Sequence, residues 1–273
     1  MDLTKPIANE PGVPASAGET VYIARYNSLE DVENILKEHA ADIACILVEP
    51  FLGTTGMIPA KPGYLQGLRE LADKYGVLLV IDEVQGFRLS SGGAQKKFGV
   101  RADLCSFGKF IGGGLPVGGF GGRLDIMSLY DHYANSFPLK QSGTFNGNRP
   151  TMAAGVAAMK LLDDAAFEKL EMLGARLEAG MKKAIEEHQV NMSVTREGSL
   201  LNIHYSKDAP YDYETAYADK IPVAALWYLS MINGGIFPAP RGLFVISTVM
   251  TEAEIDKAIS VFSDSLDVIK PYL

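Results

Sequence analysis

Ser106-Phe107-Gly108-Lys109-Phe110-Ile111-Gly112-Gly113-Gly114 puts a hydroxyl, an amine and a run of glycines in one short stretch. An apolar run, Ala102–Ser106, precedes the lysine. Lys109 is therefore expected just past the end of a buried strand, beside a ligand cleft and away from bulk water. Desolvation there would favour a neutral amine able to attack an aldehyde. The glycine triplet would let the backbone pass close to a flat ligand. A surface lysine on a glycine turn fits these residues as well, so both readings stay open. Two phosphate-loop readings fail: the glycine spacing is wrong for a dinucleotide fold, and the lysine precedes the glycines.

Acids stand at neighbouring positions of the same kind. Asp82 and Glu83 follow the apolar run Val77–Ile81, and Glu49 follows Ala44–Val48. A carboxylate at Asp82 can face a pyridinium nitrogen and keep it protonated, which makes the ring an electron sink. It can equally cap a helix. Ser106 and Lys109 also form an S-x-x-K arrangement, in which a lysine activates a serine for acyl transfer. Arg241 lies between Pro240 and Gly242. A fork of donors on such a rigid loop suits a substrate carboxylate; a surface or linking arginine is the plainer alternative.

Positioning these groups takes a folded core, and the chain can supply one. It has 273 residues, 47% of them hydrophobic and 21% charged. A net charge of -8 and the lack of any Lys/Arg run argue against a nucleic-acid partner. The two cysteines, Cys45 and Cys105, sit in apolar segments and are expected to be buried free thiols. The four histidines show no metal-ligand spacing, so no metal is expected. No signal peptide and no membrane span is legible, and a cytoplasmic location is expected.

The pattern of elements is α/β. Residues 1–20 read as an extended tail. Ser28 caps a helix over Leu29–His39, Pro62 opens one to Tyr75 with Gly76 ending it, and Val117–Gly121 is a fourth strand. Helix then apolar strand, repeated, implies a mainly parallel sheet with strands buried on both faces. Ligands gather beyond the carboxyl ends of such strands. After Pro150 the texture becomes α+β: helices over Thr151–Asp164 and Phe167–Gln189, and a hairpin of Met192–Arg196 with Leu200–His204 about Gly198. A long helix, Tyr213–Asn233, a strand, Leu243–Ser247, and a helix boxed by Thr251 and Glu254 follow. Residues 1–150 are thus expected to form a ligand-binding domain and 151–273 a smaller one.

Four ordered motifs now carry a resemblance: Val48-Glu49-Pro50; Ile81-Asp82-Glu83-Val84-Gln85; Phe107 through Gly118; and Ser142-Gly143-Thr144-Phe145-Asn146-Gly147-Asn148. Together they resemble class III aminotransferases of fold type I, which depend on pyridoxal phosphate. Glutamate-1-semialdehyde aminomutases and β-phenylalanine aminotransferases look most alike. The resemblance runs from about Gly12 to the carboxy terminus. It implies that Lys109 forms the Schiff base and moves the proton, and that Asp82 meets the pyridine nitrogen. It further implies that Val84 packs on the ring, Gln85 lies by its phenolic oxygen, and Thr144 reaches the cofactor phosphate of a partner subunit. A homodimer and an amino-acid-type substrate follow; at the Arg241 loop the chain resembles β-amino-acid aminotransferases, while the aminomutase pattern differs.

The family's amino-terminal stretch has no counterpart in these residues. It normally supplies a phosphate cup, a second ring-stacking aromatic and the first strands of the sheet. An open sheet edge, covered by the tail or a second chain, and weakened cofactor binding are therefore expected. Two alternatives to an aminotransferase-like enzyme stand beside it. One is a hydrolase using Ser106 and Lys109 in the opened cleft. The other is a non-catalytic chain or one subunit of a split enzyme.

Overall fold

Ser28 ends an extended segment and caps helix α1 (Leu29–His39), its hydroxyl accepting the Asp31 N–H at 3.3 Å. Glu30 and Asp31 lie in the first turn and Lys37 in the last, each at the end of the helix dipole that favours its charge. Ser28→Ala should lower stability by about 1 kcal/mol, read from the urea midpoint; an unmoved midpoint would show the cap idle. The structure is a computed structural model and describes residues 11–133, 139–217 and 222–273. Residues 1–10 of the expected tail and 218–221 of the expected helix Tyr213–Asn233 lie outside the described residues.

Strand β1 (Cys45–Val48) follows, then a small antiparallel pair, β2 (Phe51–Leu52) with β3 (Ile58–Pro59). Helix α2 (Tyr64–Tyr75) lies between Gly63 and Gly76, at φ of 83° and 71°. Pro62 thus precedes the helix and does not open it. Strand β4 (Leu78–Asp82) leads through the short helices α3 (Glu83–Gly86) and α4 (Gly93–Phe98) to β5 (Leu104–Gly108) and β6 (Gly118–Gly122). The sheet order is β1-β4-β5-β6: the first three strands run parallel, and β6 is antiparallel to β5. The register sets Val48 opposite Ile81 and Asp82 opposite Ser106, so the strand ends line up.

Leu65, Leu68 and Ala72 of α2 close over Val48, Leu79 and Ile81, forming a core with Val32 and Leu36 of α1. Only that face of β1 is covered. Leu47 is 69% exposed, Cys45 is exposed and Cys105 half-buried. The expectation of strands buried on both faces, and of two buried thiols, is therefore corrected. An apolar tetrapeptide reads the same at a sheet's edge as at its centre, and β1 is an edge. Strand β6 is the other edge. The described part of the tail, residues 11–20, adds no strand to either one; just after it, Tyr22 stacks on His39.

Asp103 fixes the register of β4, β5 and β6. Its carboxylate accepts from the Leu79 N–H at 2.7 Å, from Arg69 at 2.7 Å and from Arg123 at 2.9 Å. Its own N–H donates to Leu79 O and its carbonyl accepts from the Arg123 N–H, both at 2.8 Å.

Helices α5 (Leu124–Met127), α6 (Arg149–Lys160) and α7 (Asp164–His188) follow. The hairpin of β7 (Ser193–Glu197) and β8 (Leu200–His204) turns at Gly198, φ 57°, as expected. Helices α8 (Tyr213–Tyr217) and α9 (Val223–Asn233) precede β9 (Leu243–Val245), which joins β8, and α10 (Glu252–Ile269) ends the fold. Thr251 and Glu254 form the expected capping box. Trp227, Leu177, Met181, Ile255 and Phe262 seal these helices onto the three-stranded sheet. Among the described residues no helix is long and apolar enough to cross a membrane.

Candidate active site

The aligned strand ends bring a carboxylate and a hydroxyl together. Ser106 Oγ donates to Asp82 Oδ1 at 2.9 Å, and the Val84 N–H donates to the same oxygen at 2.8 Å. Asp82 therefore caps α3 and is oriented by its neighbouring strand at once. The two readings of Asp82 from sequence are compatible, because the second carboxylate oxygen takes no hydrogen bond among the described residues. Glu83 goes elsewhere. It is buried, and it accepts the Ala94 and Gln95 N–H groups at 3.0 Å each. Burial pushes its carboxyl up, against the pull of those donors.

Lys109 follows the last residue of β5 with φ 57°, a left-handed conformation uncommon for a side-chain-bearing residue. Strain of this kind is retained where surrounding packing enforces it. Here Phe87 packs edge-on to Phe107 at 5.3 Å and stacks near Phe110 at 6.1 Å, bracing the residues on both sides. The Lys109 side chain is exposed and makes no hydrogen bond or ion pair among the described residues. The expected shelter from water is thus corrected: the strand end opens onto the surface, and no described residue covers it.

Val84 and Gln85 follow Asp82 in α3. A Cβ at Gly108 would lie 3.4 Å from a Val84 methyl, and one at Gly53 would collide with the Gln85 amide. Gly113 of the glycine triplet also has a packing role. A Cβ at Gly113 would strike the Ala154 carbonyl, and one at Gly155 the Ile111 carbonyl. Loop and α6 meet backbone to backbone at these two glycines.

Thr144 and Arg241 are not joined to this cluster by any hydrogen bond or ion pair among the described residues. Thr144 stands on an exposed turn next to Phe145, which is 81% exposed. Arg241 is exposed on a turn closed by Gly242 N–H to Ala239 O at 2.9 Å. Gly242 presses on Ile203 and Asn202, and Asn202 with His204 lies against Gly56. The Arg241 turn and the loop after Glu49 therefore meet the same stretch of β8. Asn202 is 3% exposed, and its Oδ1 has no hydrogen-bond partner. His204 Nε2 lies 2.8 Å from Thr195 Oγ1, whose hydroxyl donates to Gly56 O.

Sequence reasoning missed three interactions. The Ser106 hydroxyl serves Asp82, and no hydrogen bond joins it to Lys109 among the described residues; the serine–lysine contact that acyl transfer requires is not made. Arg88 is half-buried and donates to Ser199 Oγ at 3.1 Å and Ile246 O at 2.8 Å. Burial without an acidic partner lowers it to about 10. It ties the strand-end region to the three-stranded sheet. Tyr26 donates to the Glu49 carbonyl at 3.2 Å. Only the Ser106 pairing had a signal, the equal position of two polar residues at adjacent strand ends. Among the described residues no cluster of His, Cys, Asp or Glu could hold a metal ion.

A profile of the family described as "Aminotransferase class-III" matches residues 7–266. The glutamate-1-semialdehyde 2,1-aminomutase of Anaeromyxobacter sp. (strain Fw109-5) is 40% identical over 93% of this chain and 59% of its own. Among solved structures, a β-phenylalanine aminotransferase from Variovorax paradoxus matches with a TM-score of 0.83 and 38% identity, over 90% of this chain and 57% of its own. A transaminase with PLP bound matches at 0.87 and 31%, over 97% and 61%. The chain spans about three-fifths of the length of the relatives it matches.

Proposed function

The chain belongs to the class III aminotransferase family, matched over residues 7–266, and from that premise we propose that it moves an amino group on an amino-acid-type substrate with Lys109 as the reactive amine. One observation carries this reading. Lys109 and Asp82 stand at consecutive parallel strand ends, the lysine unpaired and one Asp82 oxygen unspent. These residues fit the ring end of pyridoxal phosphate: an amine, an oriented carboxylate, and Val84 and Gln85 beside them. When bound, that cofactor supplies an electron sink for the carbanion formed next to the substrate amine.

The chain's own groups then have defined tasks. Lys109 Nζ takes the proton from the substrate carbon and returns it to a neighbouring atom. Asp82, held by Ser106 and the Val84 N–H, keeps a negative charge facing a protonated ring nitrogen. Val84 would pack against the ring, and Gln85 would lie near its phenolic oxygen. Arg241 supplies a two-pronged donor for a substrate carboxylate, the role that its exposed, unpaired position supports. Thr144 belongs to the phosphate site of a partner subunit, so the working unit is a homodimer. The exposed Phe145, Met152 and Val156 around that turn and on α6 support the same assembly. The fold then divides near residue 150 into a cofactor-binding part and a smaller one, in a cytoplasmic protein with no nucleic-acid or membrane partner.

Titrating the chain with pyridoxal phosphate tests this. A new visible absorbance band is expected, and Asp82→Asn should weaken it while leaving the fold intact by circular dichroism. A band unaffected by Asp82→Asn would sink the role given to that carboxylate. Ser106→Ala should weaken the band less than Asp82→Asn, and any ester hydrolysis should survive it unchanged.

A further inference from the structure

Thr195, Asn202 and His204 share one face of the β7–β8 hairpin. Thr195 stands opposite Asn202, and His204 lies two residues further along, so all three point the same way. The other face carries Val194, Leu201 and Ile203 into the core with α7 and α10. The polar face is just as buried: Thr195, Asn202 and His204 are 5%, 3% and 3% exposed. The loop after β2 lies on it, and a Cβ at Gly56 would meet His204 Cε1 at 2.7 Å. Gly56 has φ 113° and Met57 φ 55°, and Met57 is fully buried in one cluster with Phe51 and Leu200. A left-handed methionine persists only where its surroundings enforce it.

Counting protons fixes the direction of the hydrogen bonds. Thr195 Oγ1 is 2.8 Å from Gly56 O and 2.8 Å from His204 Nε2. A hydroxyl has one proton, and a carbonyl oxygen only accepts. The Thr195 proton therefore goes to Gly56 O, and His204 must carry a hydrogen on Nε2 and donate it to Thr195. The chain runs one way, from β8 through β7 to the loop.

At its other end the same loop meets the strand-end cluster. The Gly53 N–H donates to Glu49 Oε2 at 3.2 Å, and the Gln85 amide lies so close to Gly53 that no side chain would fit there. We propose that Thr195, ordered by His204, is a positioning residue for this site: it holds residues 53–57 in place against Gln85. Its bearing on the chemistry rests on the reading that Gln85 lies beside the cofactor. Thr195 acts only through the loop.

Hydrogen exchange of the whole chain, read peptide by peptide by mass spectrometry, tests this without cofactor. Thr195→Val keeps the shape and removes the hydroxyl, stranding Gly56 O and the His204 N–H. It should speed exchange in residues 51–58 and 83–86 by on the order of fivefold, with α10 unmoved. Thr195→Ser restores the hydroxyl and should return both segments to the wild-type rate. Unchanged exchange in either segment overturns the proposal, as does a Thr195→Ser chain as fast as Thr195→Val. An equal rise over α10 overturns it too, since it would mark a general loss of stability. A second measurement needs no folded variant of Thr195. Nitrogen-15 spectra of the histidine-labelled wild type should show a proton on His204 Nε2, and a bare Nε2 overturns the proposal. Pyridoxal phosphate binding is scored separately. Loosening of both segments with no cofactor bound by the wild type would count against the cofactor reading only; a bound cofactor with both segments unmoved would count against Thr195 only.

Discussion

Lys109→Ala should remove the visible band formed with pyridoxal phosphate and lower amino transfer from an amino-acid donor to a keto acid by at least about 10²-fold. The size follows from what is lost. An alanine provides neither a nucleophile for the aldehyde nor a base for the substrate proton. No nearby group replaces it among the described residues: Ser106 is committed to Asp82, and Arg88 to Ser199 and Ile246. Lys109 occupies a left-handed conformation, so the substitution keeps the same backbone strain and the fold should survive. Lys109→Arg is the sharper variant. It keeps the positive charge, and it should be as inactive as the alanine. Substantial activity in either variant would mean that the amine acts elsewhere.

The largest effect on stability is expected at Asp103. Asp103→Ala should cost roughly 3–5 kcal/mol, because it leaves Arg69 partly buried with one partner fewer and breaks the bond to the Leu79 N–H. Arg69 would keep its exposed partner Asp73 at 2.6 Å, while its Nε has no partner among the described residues. That is a large part of the 5–15 kcal/mol typical of a whole domain. The consequence reaches the site, since β4 and β5 present Asp82 and Lys109. The pH dependence has a definite sign. Burial alone would raise the Asp103 carboxyl, but the Leu79 N–H, Arg69 and Arg123 hold it down at about 2, against an ordinary 3.8. A depressed folded value stabilises above the unfolded one. The contribution, roughly 2 kcal/mol, is therefore full at neutral pH and lost as pH falls through the interval from 3.8 towards 2. Urea midpoints for wild type and Asp103→Ala should converge on acidification. A difference that stays constant with pH would contradict this.

Local chemistry made much of the fold legible. Ser28, the Gly198 turn and the Thr251–Glu254 box act within a few residues of chain, and each stands as read. Lys109 and Asp82 were legible as strand ends because an apolar run stopping at a polar residue is itself a local signal. What escaped depends on partners distant in sequence. Cys45-Ile46-Leu47-Val48 does not say whether a helix covers both its faces. Gly113 does not announce the Ala154 carbonyl, nor Arg88 the Ser199 hydroxyl. Ser106 was legible as a possible nucleophile, yet the strand register assigns its hydroxyl to Asp82. Thr144 and Arg241 rest on the family resemblance, and their place in the site depends on groups that the strand-end cluster itself does not touch.

Borohydride reduction of the chain mixed with pyridoxal phosphate, followed by peptide mapping, addresses the central claim most directly. The reduction locks any amine–aldehyde link into a stable adduct. The account predicts one dominant adduct, on Lys109, that weakens in Asp82→Asn. Adducts spread evenly over surface lysines such as Lys183 and Lys257, with Lys109 no more modified than they are, would contradict it.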